Sequence, residues 1–162
     1  MEKNEKYFRE LLEEVKDPEI PVLSIVDLGI VRDVKVSEGE VEVIITPTYS
    51  GCPAMDFIEV NIKSLLQHSG IDKVKVTTVL HPAWTTDWIS SSGKEKLRAY
   101  GIAPPVGSSP DKSILFGKEV TVACPRCGAE DTTMISLFGS TACKSLYKCN
   151  ACKEPFDYFK CH

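Results

Sequence analysis

The sequence predicts an α+β chain in two parts. The first is a small α/β domain with a mixed three-stranded sheet and helices, and the second is a C-terminal β module held together by metal. Three observations predict this. Apolar spacing switches between helical and strand periods through the first hundred residues. A stretch rich in proline and serine follows at 103–113. Six of the seven cysteines then fall in the last 39 residues.

The elements of the first part follow in order. Over 4–16, Tyr7, Phe8, Leu11, Leu12 and Val15 recur at helical spacing, with Glu10, Glu13 and Glu14 on the other side. Asp17-Pro18 ends that helix, because a residue before proline disfavours the helical region. Residues 30–36 and 40–46 alternate, with Val34 and Val36 facing one way, then Val41, Val43 and Ile45, and Ser37-Glu38-Gly39-Glu40 as the turn. Residues 53–69 return to a helical period through Met55, Ile58, Ile62, Leu65 and Leu66, with Gly70 as the stop. Val74, Val76, Thr78 and Leu80 alternate in a third strand, 73–80. Asp87 is expected to cap a last helix that runs to Tyr100 and stops at Gly101. A hairpin plus a β-α-β crossover gives the mixed three-stranded sheet.

Residues 103–113, Ala-Pro-Pro-Val-Gly-Ser-Ser-Pro-Asp-Lys-Ser, can continue neither a helix nor a central strand. The expected division is therefore 1–103 for the α/β domain, 104–117 for a semi-rigid tether and 118–162 for the metal module. Net charge divides in the same way, −5 in 1–103 and +1 in 118–162. The total of −4 argues against sequence-independent binding to nucleic acid or anionic membranes. No apolar run reaches the ~18–20 residues of a membrane span. The charged start, Met1-Glu2-Lys3-Asn4-Glu5-Lys6, is no signal peptide. With an odd cysteine count, these features predict a cytoplasmic protein.

Cys124-Pro-Arg-Cys127-Gly and Cys149-Asn-Ala-Cys152 are paired knuckles with 21 residues between Cys127 and Cys149. Each can offer two thiolates to one tetrahedral ion, and the glycine permits the tight turn. Val120-Thr-Val and Ser145-Leu-Tyr-Lys read as the strands that precede them. This is the pattern of a zinc ribbon. About 45 residues bury too little apolar surface to fold alone, whereas structural Zn²⁺ contributes roughly 10–16 kcal/mol in small modules. Iron in a rubredoxin-like site would use the same four sulfurs. Cys143 and Cys161 stand outside this set and form a possible second thiol site, a pair, or packed thiols.

Two features of the first part look chemical. Ser50-Gly51-Cys52-Pro53 joins a strand to a helix, with proline suited to the first helical position and Cys52 near the cap. There the positive end of the helix dipole favours a thiolate, either as a nucleophile or as a metal ligand. Asp17-Pro-Glu-Ile-Pro21 and Asp27-Leu-Gly29 form a stiff acidic loop that can hold a carboxylate against a partner or a metal, or can be a solvated turn. Trp84 and Trp88, four residues apart, serve equally as core or as partner-contact candidates.

Asp17-Pro-Glu-Ile-Pro21, Asp27-Leu-Gly-Ile-Val31 and Thr48-Tyr-Ser-Gly-Cys-Pro53 resemble the small SufT-like iron–sulfur assembly domain, over roughly residues 5–103. This implies an α/β fold with the functional cysteine at Cys52 and a role in cluster assembly or transfer. His81-Pro-Ala-Trp-Thr-Thr-Asp-Trp-Ile89 and Lys94-Glu-Lys-Leu-Arg-Ala-Tyr-Gly-Ile-Ala-Pro-Pro105 resemble the PaaD family, the auxiliary D proteins of the phenylacetyl-CoA epoxidase system. Phe138-Gly-Ser-Thr-Ala-Cys143 and Glu154-Pro-Phe-Asp-Tyr-Phe-Lys-Cys161 extend that resemblance over nearly the whole chain.

The resemblance implies an accessory protein, not an enzyme, in phenylacetate degradation. It would assemble, transfer or maintain the iron–sulfur cluster or di-iron centre of the epoxidase. Cys52 would be a cluster or iron ligand for a transient cluster, and zinc would hold the ribbon as a docking module. Its partners would be the epoxidase subunits and the reductase component. The alternative is a cysteine-dependent enzyme with Cys52 as nucleophile, His81 as base and Asp27 as orienter, which requires all three within hydrogen-bond reach.

Overall fold

Residues 4–106 and 120–160 are described by the computed structural model. The chain divides into two units. The first extends to Trp84 and includes Trp88–Ser90, and the second comprises Thr85–Asp87 and the residues from Ser91 onward.

The first unit opens with helix α1, Glu5–Leu11, where the Asn4 side chain accepts the Tyr7 amide at 3.0 Å and satisfies one of the first-turn donors. A 3₁₀ turn, Leu12–Glu14, continues it. Phe8, Leu12 and Val15 are buried, as the helical spacing requires. Strands β1, Val31–Ser37, and β2, Glu40–Ile45, form an antiparallel hairpin with Gly39 at φ 74° in its turn. Helix α2, Ala54–His68, carries the chain over to β3, Lys73–Thr78, which pairs parallel to β2. The order β1-β2-β3 is the predicted mixed sheet. Its core face holds Val34, Val41, Val43 and Ile45, and α2 contributes Ala54, Ile58, Ile62 and Leu66, one residue per turn.

The strand predictions need two corrections. Val34 is buried, but Val36 is exposed near the far end of β1. Leu80 lies beyond the end of β3 and is exposed. A register shift between Val31 and Asp33 leaves Arg32 without a ladder partner. Such a bulge re-aims a side chain, and here the Arg32 guanidinium stacks 3.5 Å from the centre of the Trp88 ring.

The acidic loop is a structural frame. Asp17 Oδ1 accepts the amides of Glu19 and Ile20, each at 2.8 Å. Asp27 is buried, and its carboxylate accepts from the Ser24 amide at 3.1 Å and the Ser90 hydroxyl at 3.1 Å. The Leu28 carbonyl accepts the indole N–H of Trp84 at 2.8 Å. Gly29, at φ 69°, lies so close to Trp88 that a Cβ would come within 2.4 Å of its carbonyl oxygen. Gly29→Ala should therefore lower unfolding stability by at least ~2 kcal/mol, from left-handed strain plus a backbone clash. Urea denaturation measures this directly, and an unchanged midpoint would contradict it.

Trp84 is only 6% exposed. That removes it as a partner-contact candidate, because its side chain is buried and its N–H is bonded to the Leu28 carbonyl. Trp84→Phe keeps most of the volume but leaves the Leu28 carbonyl without this donor, at an expected cost of about 1–3 kcal/mol. Trp84→Ala should cost about 3–5 kcal/mol. Thermal denaturation of the two variants separates the hydrogen-bond and packing contributions. Trp88 is half-buried.

In the second unit, helix α3 runs Ser91–Tyr100 and ends at Gly101, φ 90°. It starts three residues later than an Asp87 cap would place it. Asp87 does not cap it, but lies in a 3₁₀ turn, Thr86–Trp88, with its amide bonded to the Thr85 hydroxyl at 3.0 Å. The two residues of β4, Ile102–Ala103, pair parallel with β7, Pro155–Phe159. β7 pairs antiparallel with β6, Lys144–Cys149, and β6 with β5, Thr132–Ser136, giving the order β4-β7-β6-β5.

This pairing moves the expected domain boundary. Residues 91–103 group with the metal module, because β4 extends its sheet and Ala103 enters its core with Val122, Tyr147, Phe156 and Tyr158. Tyr147 stacks on Phe156 at 5.8 Å and meets Tyr158 edge-on at 5.6 Å. Residues 107–117 of the expected tether lie outside the described residues. Val120–Val122 do not form the predicted strand. Instead the Val122 carbonyl accepts the Thr132 hydroxyl at 2.7 Å.

Candidate functional site

The four predicted ligands come together. The sulfurs of Cys124, Cys127, Cys149 and Cys152 all lie within 4.8 Å of one another. Cys124 to Cys152 is 3.8 Å and Cys127 to Cys149 is 3.6 Å. Zinc–sulfur bonds of ~2.3 Å in a tetrahedron put sulfurs ~3.8 Å apart, so the donor set fits Zn²⁺. Each knuckle is closed by backbone. The Gly128 amide donates to the Cys124 carbonyl at 2.9 Å and the Cys124 amide to the Ala129 carbonyl at 2.9 Å. In the second knuckle the Cys149 amide donates to the Glu154 carbonyl at 2.9 Å. The residue after each knuckle has positive φ, 77° at Gly128 and 67° at Lys153, so the second turn is made without glycine.

The electrostatics favour a bound cation. The Cys152 amide, 3.4 Å from the Cys149 sulfur, leads the contacts that hold that thiol down at about 7. At Cys152 the Glu154 amide pulls downward, but burial and the neighbouring sulfurs outweigh it and push the thiol up to about 11. Four sulfurs this close repel one another as thiolates until a cation is shared among them.

Cys143 is buried outside this cluster, with its sulfur 3.1 Å from the Thr141 hydroxyl and its carbonyl accepting the Lys160 amide at 3.0 Å. Cys161 lies outside the described residues.

Cys52 belongs to the first unit. β2 ends at Ile45, and the Thr46 amide bonds the Ile30 carbonyl at 2.9 Å. The loop then turns through Gly51, φ 76°, and the Cys52 amide bonds the Tyr49 carbonyl at 3.2 Å. Pro53, expected as the first helical residue, is the N-cap of α2, which starts one position later at Ala54, so Cys52 immediately precedes the cap. The Met55 amide is taken by the Cys52 carbonyl at 3.2 Å. The thiol is half-buried, and among the described residues it has no hydrogen-bond partner. At the root of the same loop, the buried Thr46 hydroxyl has no partner among the described residues.

The proposed triad is not assembled. His81 is exposed and makes no hydrogen bond among the described residues. The Asp27 carboxylate is engaged by Ser24 and Ser90. The sequence reading also missed an exposed apolar pair on α2, Phe57 at 54% and Val60 at 65%. The available signal was their position off the 54-58-62-66 stripe, which a helical projection shows.

An α/β domain with a half-buried thiol before a helix, followed by a four-sulfur ribbon, defines a two-part protein with a candidate metal centre. Comparison with known proteins supports it. Residues 8–80 match the family described as iron–sulfur cluster assembly protein, and residues 108–160 match the PaaD zinc beta ribbon domain. A protein of Escherichia coli (strain K12), named as a component of 1,2-phenylacetyl-CoA epoxidase, is 51% identical over 152 residues, 93% of this chain and 89% of that one. The chain therefore belongs to the PaaD family, which joins an iron–sulfur assembly domain to a zinc ribbon. An Fe-S protein maturation auxiliary factor of Porphyromonas gingivalis (strain ATCC BAA-308 / W83) is 36% identical over 89 residues, covering 54% of this chain and 84% of its own. Among solved structures, the domain of unknown function DUF59 from Bacillus anthracis is 31% identical with a TM-score of 0.55, covering 57% of this chain and 90% of that one. A conserved protein from Thermotoga maritima is 28% identical with a TM-score of 0.51, covering 60% and 98%. No helix among the described residues is long and apolar enough to cross a membrane.

Proposed function

We propose that the chain is a non-catalytic accessory protein that assembles, transfers or maintains the iron–sulfur cluster of phenylacetyl-CoA epoxidase, or its di-iron centre. One observation carries the reading. Cys52 offers a half-buried thiol with no hydrogen bond among the described residues, on the loop that starts α2 of an assembly-type domain. A soft thiolate suits iron and iron–sulfur cargo. A single ligand from this loop leaves coordination positions for the receiving protein, which favours transfer over storage. Phe57 and Val60, on the helix that follows Cys52, offer apolar contact to that protein.

The zinc ribbon serves as a docking module for the epoxidase subunits and the reductase component, and Trp88 is the remaining aromatic contact candidate. The thiol-enzyme alternative is disfavoured because nucleophilic catalysis needs a base near Cys52, and His81 has no hydrogen bond among the described residues. The test is a strain in which Cys52→Ser is the sole copy. Its epoxidase should have the iron content and activity of a strain lacking the protein. Full activity would refute the role.

A further inference from the structure

The segment Lys94–Pro105 is absorbed neither by the metal centre nor by Cys52, yet within the second unit it lines two adjoining hollows. One, about 610 Å³, is bounded by Glu95, Arg98, Tyr100, Gly101, Pro125 and Arg126. The other, about 540 Å³, shares Arg98 and Pro125 and continues along Pro104, Pro105 and Val106. Arg98 stands in the last turn of α3. Arg126 lies inside the first knuckle, whose turn is fixed by the Gly128-to-Cys124 bond at 2.9 Å. Both guanidiniums are exposed, and among the described residues neither has an ion-pair or hydrogen-bond partner, Glu95 included. Tyr100 and Val106 are 56% and 55% exposed beside them.

We infer that this groove binds an acidic peptide segment of a partner protein. Two arginines without partners among the described residues can each take a carboxylate as a bidentate fork. The aromatic and aliphatic side chains beside them suit the apolar residues of such a segment. Two hollows in sequence suit an extended chain better than a compact anion. The chain as a whole carries −4, so the attraction is local to these two side chains. The inference does not rest on cluster transfer by Cys52, because no residue of that loop is involved.

The experiment uses the full zinc-loaded chain and a fluorescein-labelled decapeptide of glutamates interrupted by two leucines. Fluorescence anisotropy gives Kd. Arg98→Gln and Arg126→Gln should each raise Kd about tenfold, whereas Arg9→Gln, in the first unit, should leave it unchanged. The double variant Arg98→Glu/Arg126→Glu should prefer the matching lysine peptide, which a merely unfolded ribbon would not do. Arg98→Lys should restore only part of the affinity, because it keeps the charge but loses the fork. Three results would overturn the inference: no binding of the glutamate peptide, equal binding by the double glutamine variant with its zinc retained, or displacement by inorganic pyrophosphate at lower concentration than by unlabelled peptide. The last would make the groove a small-anion site.

Discussion

Removing zinc should unfold the sheet β5-β6-β7 and leave the first unit folded. Two of the four sulfurs, those of Cys124 and Cys149, belong to the ribbon's buried core together with Tyr147, Phe156 and Tyr158. Without the ion, four crowded thiols stand where the two knuckles meet. Structural zinc in small modules contributes about 10–16 kcal/mol, more than an unaided core of this size supplies. A chelator should release one zinc per chain and abolish the tyrosine near-ultraviolet dichroism of the ribbon. Hydrogen exchange in β6 and β7 should accelerate, while exchange in β1, β2 and α2 should not change. Cys149→Ser should reproduce the effect. Each sulfur must lose its proton to bind, so zinc affinity falls as pH falls. Unchanged exchange in β6 and β7 after zinc loss would show that the aromatic core holds the ribbon without metal.

Cys52→Ser is expected to abolish cluster transfer while leaving stability within about 0.5 kcal/mol of the unsubstituted chain. Serine is nearly isosteric, and no hydrogen bond to the thiol is lost among the described residues. The loop is held by backbone bonds, from Cys52 to Tyr49 and from Met55 to Cys52, which the substitution keeps. Hydroxyl is a poor ligand for soft metals, so delivery of iron and sulfide to an apo-acceptor should fall by at least ~100-fold, since loss of an outer-shell partner of a metal ligand alone costs about 10–100-fold. A large drop in melting temperature with transfer retained would make Cys52 a packing residue instead.

The sequence was most legible where one short-range period decides the outcome. The valines and isoleucine of β2 alternate because that strand has one buried face, and the stripe of α2 repeats every four residues. The clustering of the four cysteines was legible because C-x-x-C spacing is itself the geometry. The boundary was not legible. β4 has only two residues, Ile102 and Ala103, and its pairing with β7 joins segments more than fifty residues apart. A local reading therefore sees only a helix followed by prolines. Trp84 was equally ambiguous. An aromatic serves as core or as anchor until its partner, the Leu28 carbonyl 56 residues away, is located. Asp27 looked like a functional carboxylate, but its bonds to Ser24 and Ser90 make it a frame for the 84–90 segment. The arginine groove had no sequence signal, since Arg98 and Arg126 meet only through the fold.

The central claim is that Cys52 holds iron–sulfur cargo while the ribbon holds zinc. Anaerobic reconstitution with iron and sulfide, followed by elemental analysis and optical spectroscopy, tests it in one comparison. The unsubstituted chain should carry one zinc together with iron and sulfide, and should show thiolate-to-iron charge-transfer bands. Cys52→Ser should carry the same zinc and show no such bands. Equal iron, sulfide and absorption in both proteins would contradict the assignment of Cys52, and iron replacing zinc at the four ribbon sulfurs would contradict the assignment of the metal.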